Sequence, residues 1–178
     1  GITLFDTADI YGFDGSTGFG DAEAAFGEVL GRCPDLRTAM ILATKGGICP
    51  PVPYDQSAAY LRDAIDASLR RLRTDRIDLW QVHRPDILTH PQELARTLEN
   101  AVASGKVRTV GVSNFTTSQI DALQHLLGCE LVSTQPEISP LRIDCFENGE
   151  LDQAMVQGLA VLAWSPLGGG RIVSPTTP

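Results

Sequence analysis

Residues 57–83 read SAAYLRDAIDASLRRLRTDRIDLWQVH, and this segment carries the clearest structural signal in the chain. Its first part, residues 57–72, repeats apolar side chains at steps of three and four, with charged side chains on the other face, which predicts an amphipathic helix. Its last part, IDLWQVH at residues 77–83, is a short and mainly apolar run that predicts a buried strand. A helix followed closely by a strand is typical of the connection between two parallel strands.

The same alternation of strand and helix continues on both sides of this segment. The predicted strands cover residues 2–6, 39–45, 77–83, 107–114, 130–135 and 159–164. The predicted helices cover residues 21–31, 57–72, 91–104, 118–127 and 151–157. Regular alternation predicts an α/β protein with parallel strands, either as an open doubly wound sheet or as a closed barrel.

The ends of the predicted strands favour the barrel. Each strand finishes in a polar or aromatic residue that is capable of specific chemistry: Asp6, Lys45, His83, Ser113 with Asn114, Gln135, and Trp164 with Ser165. Barrel enzymes build their active sites at this face from several different strands. Open sheets usually carry a glycine-rich G-x-G-x-x-G turn after a strand, and this sequence has none. The strand ends therefore predict a TIM-type (β/α) barrel.

Chain length indicates that the barrel is incomplete. A full barrel of eight units takes about 250 residues, or roughly 31 per unit, so this chain holds about six β/α units. No linker or low-complexity tract interrupts the 178 residues. We therefore expect residues 1–178 to form a single, partial barrel domain. The first residue is glycine rather than methionine, and we expect that the natural start lies elsewhere.

Composition excludes several classes of protein. The net charge of −8 argues against a general affinity for nucleic acid or anionic lipid. No apolar run approaches the roughly 18 residues that a membrane span requires. The four cysteines are scattered without a paired spacing, so we expect no metal site and no disulfide framework. Reduced thiols favour the cytoplasm.

Four of the strand-end and loop residues could together protonate a carbonyl group. Tyr11 has an ordinary pKa of about 10, and a nearby ammonium such as Lys45 would lower it. Asp6 could hold that ammonium in place, and His83 could orient a carbonyl oxygen or share the proton. Hydride from a reduced nicotinamide would complete the reduction.

Each residue also has an ordinary explanation when it is taken alone. Asp6 could cap a loop, Tyr11 could pack with a wet hydroxyl, and Lys45 could end a strand in solvent. His83 could be a structural hydrogen-bonding residue. Strand alternation places Trp80 on the face opposite His83, so we expect Trp80 to pack beneath the outer helices.

Several motifs, taken together, resemble the aldo-keto reductase superfamily over essentially the whole chain. They are FDTADIYG (5–12), ATKGG (43–47), DLWQVHRPD (78–86), GKVRTVGVSNF (105–115) and AWSPLGGG (163–170). The resemblance implies a TIM-type barrel that uses NADPH without a Rossmann motif. It also implies a catalytic tetrad of Asp6, Tyr11, Lys45 and His83, with Tyr11 as the proton donor.

The resemblance assigns a second set of residues to the cofactor. Ser113, Asn114 and Gln135 would hold the nicotinamide carboxamide, and Trp164 would stack on the nicotinamide ring, where many members have tyrosine. Ser165 and Leu167, with the glycines that follow, would run along the pyrophosphate. Trp164 as an ordinary core residue is the alternative.

The resemblance therefore implies an oxidoreductase that interconverts small aldehydes or ketones and alcohols with NADPH. It also implies that the first strand and the last strand–helix unit are missing from these 178 residues. The chain would then be part of a longer protein, a truncated product that associates with itself or another chain through open barrel edges, or an independent fold. A truncated, non-catalytic nucleotide-binding or regulatory subunit is the alternative function. A hydrolytic role is disfavoured, since Asp6 has no partner acid at a strand end except Glu137.

Overall fold

The computed structural model describes residues 1–174, and they contain one six-stranded parallel sheet whose strands follow sequence order. The strands are β1 (Leu4–Asp6), β2 (Ile41–Gly46), β3 (Ile77–Val82), β4 (Val107–Ser113), β5 (Leu131–Gln135) and β6 (Ala160–Val161). Each strand pairs in parallel with the next strand along the chain. A doubly wound sheet would reverse direction at a switch point, so the predicted barrel-type arrangement is confirmed.

Helices connect successive strands. They are α1 (Asp21–Arg32), α2 (Asp35–Thr38), α3 (Ala58–Leu72), α4 (Pro91–Ala103), α5 (Thr117–Leu126) and α6 (Glu150–Gln157). The five predicted helices are confirmed, with ends displaced by a single residue at most. Short α2 was not predicted, because four residues cannot show a helical period. Two 3-10 turns, Asp144–Phe146 and Gly168–Gly170, lie in segments where neither a helix nor a strand was predicted.

Strand β3 shows that the two faces of the sheet have different environments. Trp80 is fully buried in the hydrophobic cluster that the sheet forms with the helices, as strand alternation predicted. The next residue, Gln81, points the opposite way: its amide donates to Asp6 at 3.4 Å and accepts from the Ser133 hydroxyl at 3.1 Å. The inner face of the sheet is therefore polar at the level of Asp6, while the outer face forms the core.

The last strand is shorter than predicted. Residues 159–164 were expected to form a strand, but β6 contains only Ala160 and Val161. Pro136, which follows β5, has no N–H to donate, so the regular ladder stops there. A single bridge between Glu137 and Trp164 resumes the pairing. Trp164 nevertheless keeps its predicted place at the carboxyl end of the sheet.

The outer strands of the sheet have open edges. Within residues 1–174, β1 pairs only with β2, and β6 pairs only with β5. Apolar side chains near the β1 edge are partly exposed, with Phe5 39% and Ile41 49% accessible. Unpaired edges favour association. None of the helices in the described part of the chain is long and apolar enough to cross a membrane.

Self-association through these edges remains a prediction. We expect the 178-residue chain, prepared alone, to sediment as a species larger than one chain at micromolar concentration. The physical reason is that pairing two open edges satisfies backbone groups that otherwise face solvent. Analytical ultracentrifugation over a range of concentrations measures this, and a monomer at every concentration would contradict it.

Candidate active site

The centre of the candidate site is a buried ion pair at the carboxyl ends of β1 and β2. Lys45 is fully buried, and its Nζ lies 2.6 Å from Oδ2 of Asp6. The side-chain amides of Gln135 and Gln81 also donate to Asp6, at 3.1 and 3.4 Å. Three donors on one carboxylate fix its orientation, and the carboxylate in turn holds the lysine ammonium in the barrel interior.

Tyr11 lies on the loop after β1, and backbone hydrogen bonds tie this loop to β2. The N–H groups of Thr7 and Asp9 donate to the carbonyls of Ala43 and Lys45, each at 3.0 Å. Lys45 Nζ lies 4.9 Å from the centre of the Tyr11 ring. The ring also meets the His83 imidazole edge to face, with 5.8 Å between centroids. The structure thus brings together all four residues of the predicted tetrad.

The pKa of Tyr11 shifts in the direction opposite to the expectation. Burial, and then the Asp6 carboxylate, raise the pKa of the phenol above its usual value of 10, and Arg84 opposes this shift. Lys45 was expected to lower the pKa of Tyr11. Its ammonium is instead paired directly with Asp6, so its charge is largely compensated at the phenol. Tyr11 is therefore a protonated phenol at neutral pH.

Burial lowers the pKa of both His83 and Lys45, and the Lys45 charge adds to the shift of His83. His83 follows the end of β3, where its N–H donates to the Gly46 carbonyl at 2.9 Å. Burial, followed by the charges of Lys45 and Arg84, lowers the pKa of His83 to about 3, so its imidazole is neutral. Burial also lowers the pKa of Lys45, while Asp6 opposes that change.

Four of the residues assigned to the cofactor form one hydrogen-bonded group beside Tyr11. The Trp164 indole N–H donates to Asn114 Oδ1 at 3.0 Å, and Asn114 Nδ2 donates to Ser113 Oγ at 2.8 Å. Ser113 Oγ donates in turn to the Gln135 carbonyl at 2.9 Å. Asn114 takes a left-handed backbone conformation, φ 60°, which turns the chain so that its amide faces the group.

These residues line a cavity of about 320 Å³, which we call the inner cavity. Its lining consists of Tyr11, His83, Arg84, Ser113, Asn114, Gln135, Trp164 and Ser165. Ser165 is thus at this cavity, and its contact with the pyrophosphate stays a prediction. Leu167 does not line it: the side chain is 58% exposed, just before the turn Gly168–Gly170.

The inner cavity has groups that suit a nicotinamide carboxamide. The side-chain amide of Gln135 donates from Nε2 to Asp6, and its Oε1 accepts no hydrogen bond within residues 1–174. Oε1 is therefore available to a ligand. Asn114 Oδ1 retains a second lone pair beside the Trp164 bond. Nicotinamide is a flat ring with hydrogen-bond donors and acceptors at its carboxamide. It suits a site where the Trp164 indole is flanked by the amides of Asn114 and Gln135 and the Ser113 hydroxyl.

Sequence reasoning missed two residues of this region. Arg84 lines the inner cavity with its guanidinium near the Trp164 ring, 5.9 Å from the centroid. The only signal was its position directly after His83. Asp9, within the quoted FDTADIYG motif, is 1% exposed, and neither carboxyl oxygen has a hydrogen-bond partner in the described structure. The available signal in the sequence was that Asp9 is an acidic residue between Asp6 and Tyr11, which were both assigned to the site.

Side chains capable of specific chemistry come from six successive parallel strands or the loops after them, and they meet at one face of a curled sheet. This arrangement is that of the active-site face of a (β/α) barrel. The chain belongs to the aldo/keto reductase family, whose sequence profile matches residues 1–177. This confirms the resemblance that the motifs indicated. The proton donor and the residues that contact the cofactor are proposals.

Named relatives support the same family. A 6-dehydroglucose reductase of Novosphingobium aromaticivorans is 73% identical over 99% of this chain and 58% of that protein. The structure of a glycerol dehydrogenase from Gluconobacter oxydans superimposes with a TM-score of 0.86 at 32% identity, covering 99% of this chain and 53% of that one. An aldo/keto reductase from Klebsiella pneumoniae, in complex with NADP and acetate, gives 0.77 at 27% identity, covering 97% and 56%. The chain thus spans less than two thirds of each.

Proposed function

We propose that this chain carries the catalytic centre of a reductase that converts an aldehyde or ketone reversibly to an alcohol with NADPH. The observation that carries the proposal is the buried Lys45–Asp6 pair, 2.6 Å apart, directly beside the Tyr11 ring. A phenol next to a fixed ammonium can give up a proton because the resulting phenolate is stabilised electrostatically.

Tyr11 is the proposed proton donor to the carbonyl oxygen. Its hydroxyl forms no hydrogen bond within the described residues, so it is available to a substrate, and its raised pKa keeps it protonated beforehand. As the proton leaves, the Arg84 guanidinium, which opposes the rise in the pKa of Tyr11, stabilises the phenolate. The part of the Lys45 charge that Asp6 does not compensate also stabilises it. In alcohol oxidation the same phenolate accepts the proton.

His83 is proposed to orient the substrate. Because its pKa is lowered to about 3, it is a neutral imidazole with one N–H donor and one acceptor nitrogen. It therefore positions the carbonyl oxygen without competing with Tyr11 as an acid. The ring contact between Tyr11 and His83 keeps both groups on the same side of the inner cavity.

Ser113, Asn114 and Gln135 are proposed to hold the nicotinamide carboxamide of NADPH, with Trp164 against the ring. Ser165, at the cavity, would lie near the pyrophosphate, and Leu167 would contribute its backbone. Bound NADPH supplies the hydride that the carbonyl carbon requires. The chain's own contribution is to bind, to orient and to hold the proton at Tyr11.

The substrate is proposed to be a small carbonyl compound of the sugar or polyol type. The support is the 73% identity to a protein named 6-dehydroglucose reductase, together with the structural likeness to a glycerol dehydrogenase. We also propose that the protein acts in the cytoplasm, where its four free cysteines would stay reduced.

Two measurements on the protein as encoded by its gene test the proposed function. We expect saturable quenching of tryptophan fluorescence by NADPH below millimolar concentration, because Trp164 would meet the nicotinamide. We also expect carbonyl-dependent loss of NADPH absorbance with formation of the alcohol. Binding without turnover would favour the alternative, a non-catalytic nucleotide-binding subunit. Absence of both would contradict the proposal.

A further inference from the structure

A second cavity adjoins the inner cavity. It has a volume of about 340 Å³, and we call it the outer cavity. Arg84, Asn114 and Trp164 line both cavities. These three side chains contact one another and form the boundary between the two cavities. Arg84, on this boundary, is therefore within reach of a molecule that is bound beside Tyr11 and is large enough to occupy both cavities. Nothing in the proposed chemistry uses this space.

The outer cavity contains two charged side chains that do not pair with each other. Arg84 is half-buried, and its guanidinium makes no hydrogen bond or ion pair within residues 1–174. It makes a cation–π contact with the Trp164 ring. Glu137 is also half-buried, and its carboxylate is likewise unpaired in the described structure. The five N–H donors of Arg84 and the carboxylate of Glu137 thus line one space without a hydrogen-bond partner among residues 1–174.

The remaining charged residues around the outer cavity are already engaged. Arg142 Nε lies 2.5 Å from Asp144 Oδ2, and Glu150 accepts a hydrogen bond from Asn148 at 2.6 Å. The lining contains two arginines and three acidic residues, so it has no excess of positive charge. An anionic ligand would gain from Arg84 but would be opposed by Glu137. A neutral ligand with several hydroxyl groups can satisfy both residues, since each hydroxyl donates and accepts.

We propose that the outer cavity is the subsite for the neutral, hydroxyl-bearing part of the substrate. Arg84 donates hydrogen bonds to its oxygens, and Glu137 accepts hydrogen bonds from its hydroxyls. Arg84 and Glu137 thereby determine the preference for polyhydroxylated carbonyl compounds over plain ones. This subsite rests on the proposed function, because it presumes that the carbonyl is reduced beside Tyr11.

A matched pair of aldehydes tests the subsite in the protein as encoded by its gene. One is methyl α-D-glucopyranoside oxidised to the aldehyde at carbon 6, and the other is tetrahydropyran-2-carbaldehyde, which has the same ring without hydroxyl groups. We expect the ratio of their kcat/KM values to fall about tenfold or more in Arg84→Gln and in Glu137→Gln, because each loses a charge-assisted hydrogen bond. The loss should fall mainly on KM for the sugar aldehyde.

Arg62→Gln is the control variant, because Arg62 lies on the outer groove between α3 and α4, away from both cavities. Its ratio should equal that of the wild type. The subsite would be refuted if both Arg84→Gln and Glu137→Gln still reduced tetrahydropyran-2-carbaldehyde and kept the wild-type ratio of kcat/KM values. No reduction of either aldehyde by the wild type would instead refute the proposed function, and the subsite with it.

A second pair of substrates separates the neutral ligand from an anionic one. Succinic semialdehyde and butanal have the same carbon chain and differ in a terminal carboxylate. If Arg84→Gln lowered the preference for succinic semialdehyde and left the sugar preference intact, the outer cavity would bind anions and the proposal would be wrong. Far-ultraviolet circular dichroism and the dissociation constant for NADPH show whether each variant is folded.

Discussion

Tyr11→Phe is expected to lower kcat for carbonyl reduction about a thousandfold, the middle of the range that general acid catalysis contributes. Phenylalanine keeps the ring that contacts His83 and lies near Lys45, and it removes only the hydroxyl. The affinity for NADPH should therefore stay within about threefold, since the residues proposed to hold the nicotinamide are untouched. Stopped-flow absorbance of NADPH under single-turnover conditions measures the chemical step directly.

Tyr54→Phe is the matched control for that experiment. Tyr54 is partly exposed and lines neither cavity, so loss of its hydroxyl should not change kcat. Near-normal turnover by Tyr11→Phe would exclude Tyr11 as the proton donor. A loss of equal size in both variants would indicate a general effect on the fold rather than on proton transfer.

The grouping of the site could be predicted from the sequence because parallel strands end at one edge. Asp6, Lys45 and Gln135 are separated by as many as 129 residues, yet each terminates or nearly terminates a strand, and all three are hydrogen-bonded to one another through Asp6. Sequence order alone therefore placed them together. The same reasoning placed Trp80 in the core, because alternation along β3 is a local property.

What the sequence could not give was the set of distances between groups on different strands. The shift in the pKa of Tyr11 was predicted in the wrong direction, because it depends on how closely Lys45 pairs with Asp6. Leu167 was assigned to the cofactor by resemblance, and its exposed side chain could not be foreseen from the motif. Arg84 was not singled out, because the sequence does not show that its guanidinium lacks a hydrogen-bond partner within the described residues.

The protonation state of Asp9 also depends on three-dimensional packing. Its carboxyl lies behind the site, next to Gly46, where a Cβ atom would come within 3.0 Å of Asp9 Oδ2. The neighbouring Glu23 is fully buried, and its carboxylate accepts hydrogen bonds from Thr44 Oγ1 at 2.5 Å and from Arg71 Nε at 2.7 Å. Burial and then Glu23 raise the pKa of Asp9 to about 7, while Arg71 and Lys45 oppose the shift. Asp9 is thus largely uncharged below neutral pH.

The buried, uncharged Asp9 should make stability fall as pH rises. In the unfolded chain Asp9 ionises near 3.8, whereas in the folded chain it stays protonated up to about 7. Between these values the unfolded state gains stability from ionisation and the folded state does not, so the free energy of unfolding decreases toward pH 7. Above pH 7 both states are ionised, and this contribution no longer changes.

Asp9→Asn should abolish this dependence, because asparagine is neutral at every pH and has nearly the same shape. The free energy of unfolding of the variant relative to the wild type should rise by about 3 kcal/mol between pH 5 and pH 8, since each pH unit up to about 7 contributes about 1.4 kcal/mol. Urea denaturation followed by circular dichroism at the two pH values measures this difference. Asp63→Asn, which removes an exposed carboxylate from α3, is the control and should give parallel pH profiles. Parallel profiles for Asp9→Asn and the wild type would mean that Asp9 is ionised in the folded protein at pH 5, and the buried carboxyl would then need a partner from elsewhere in the protein.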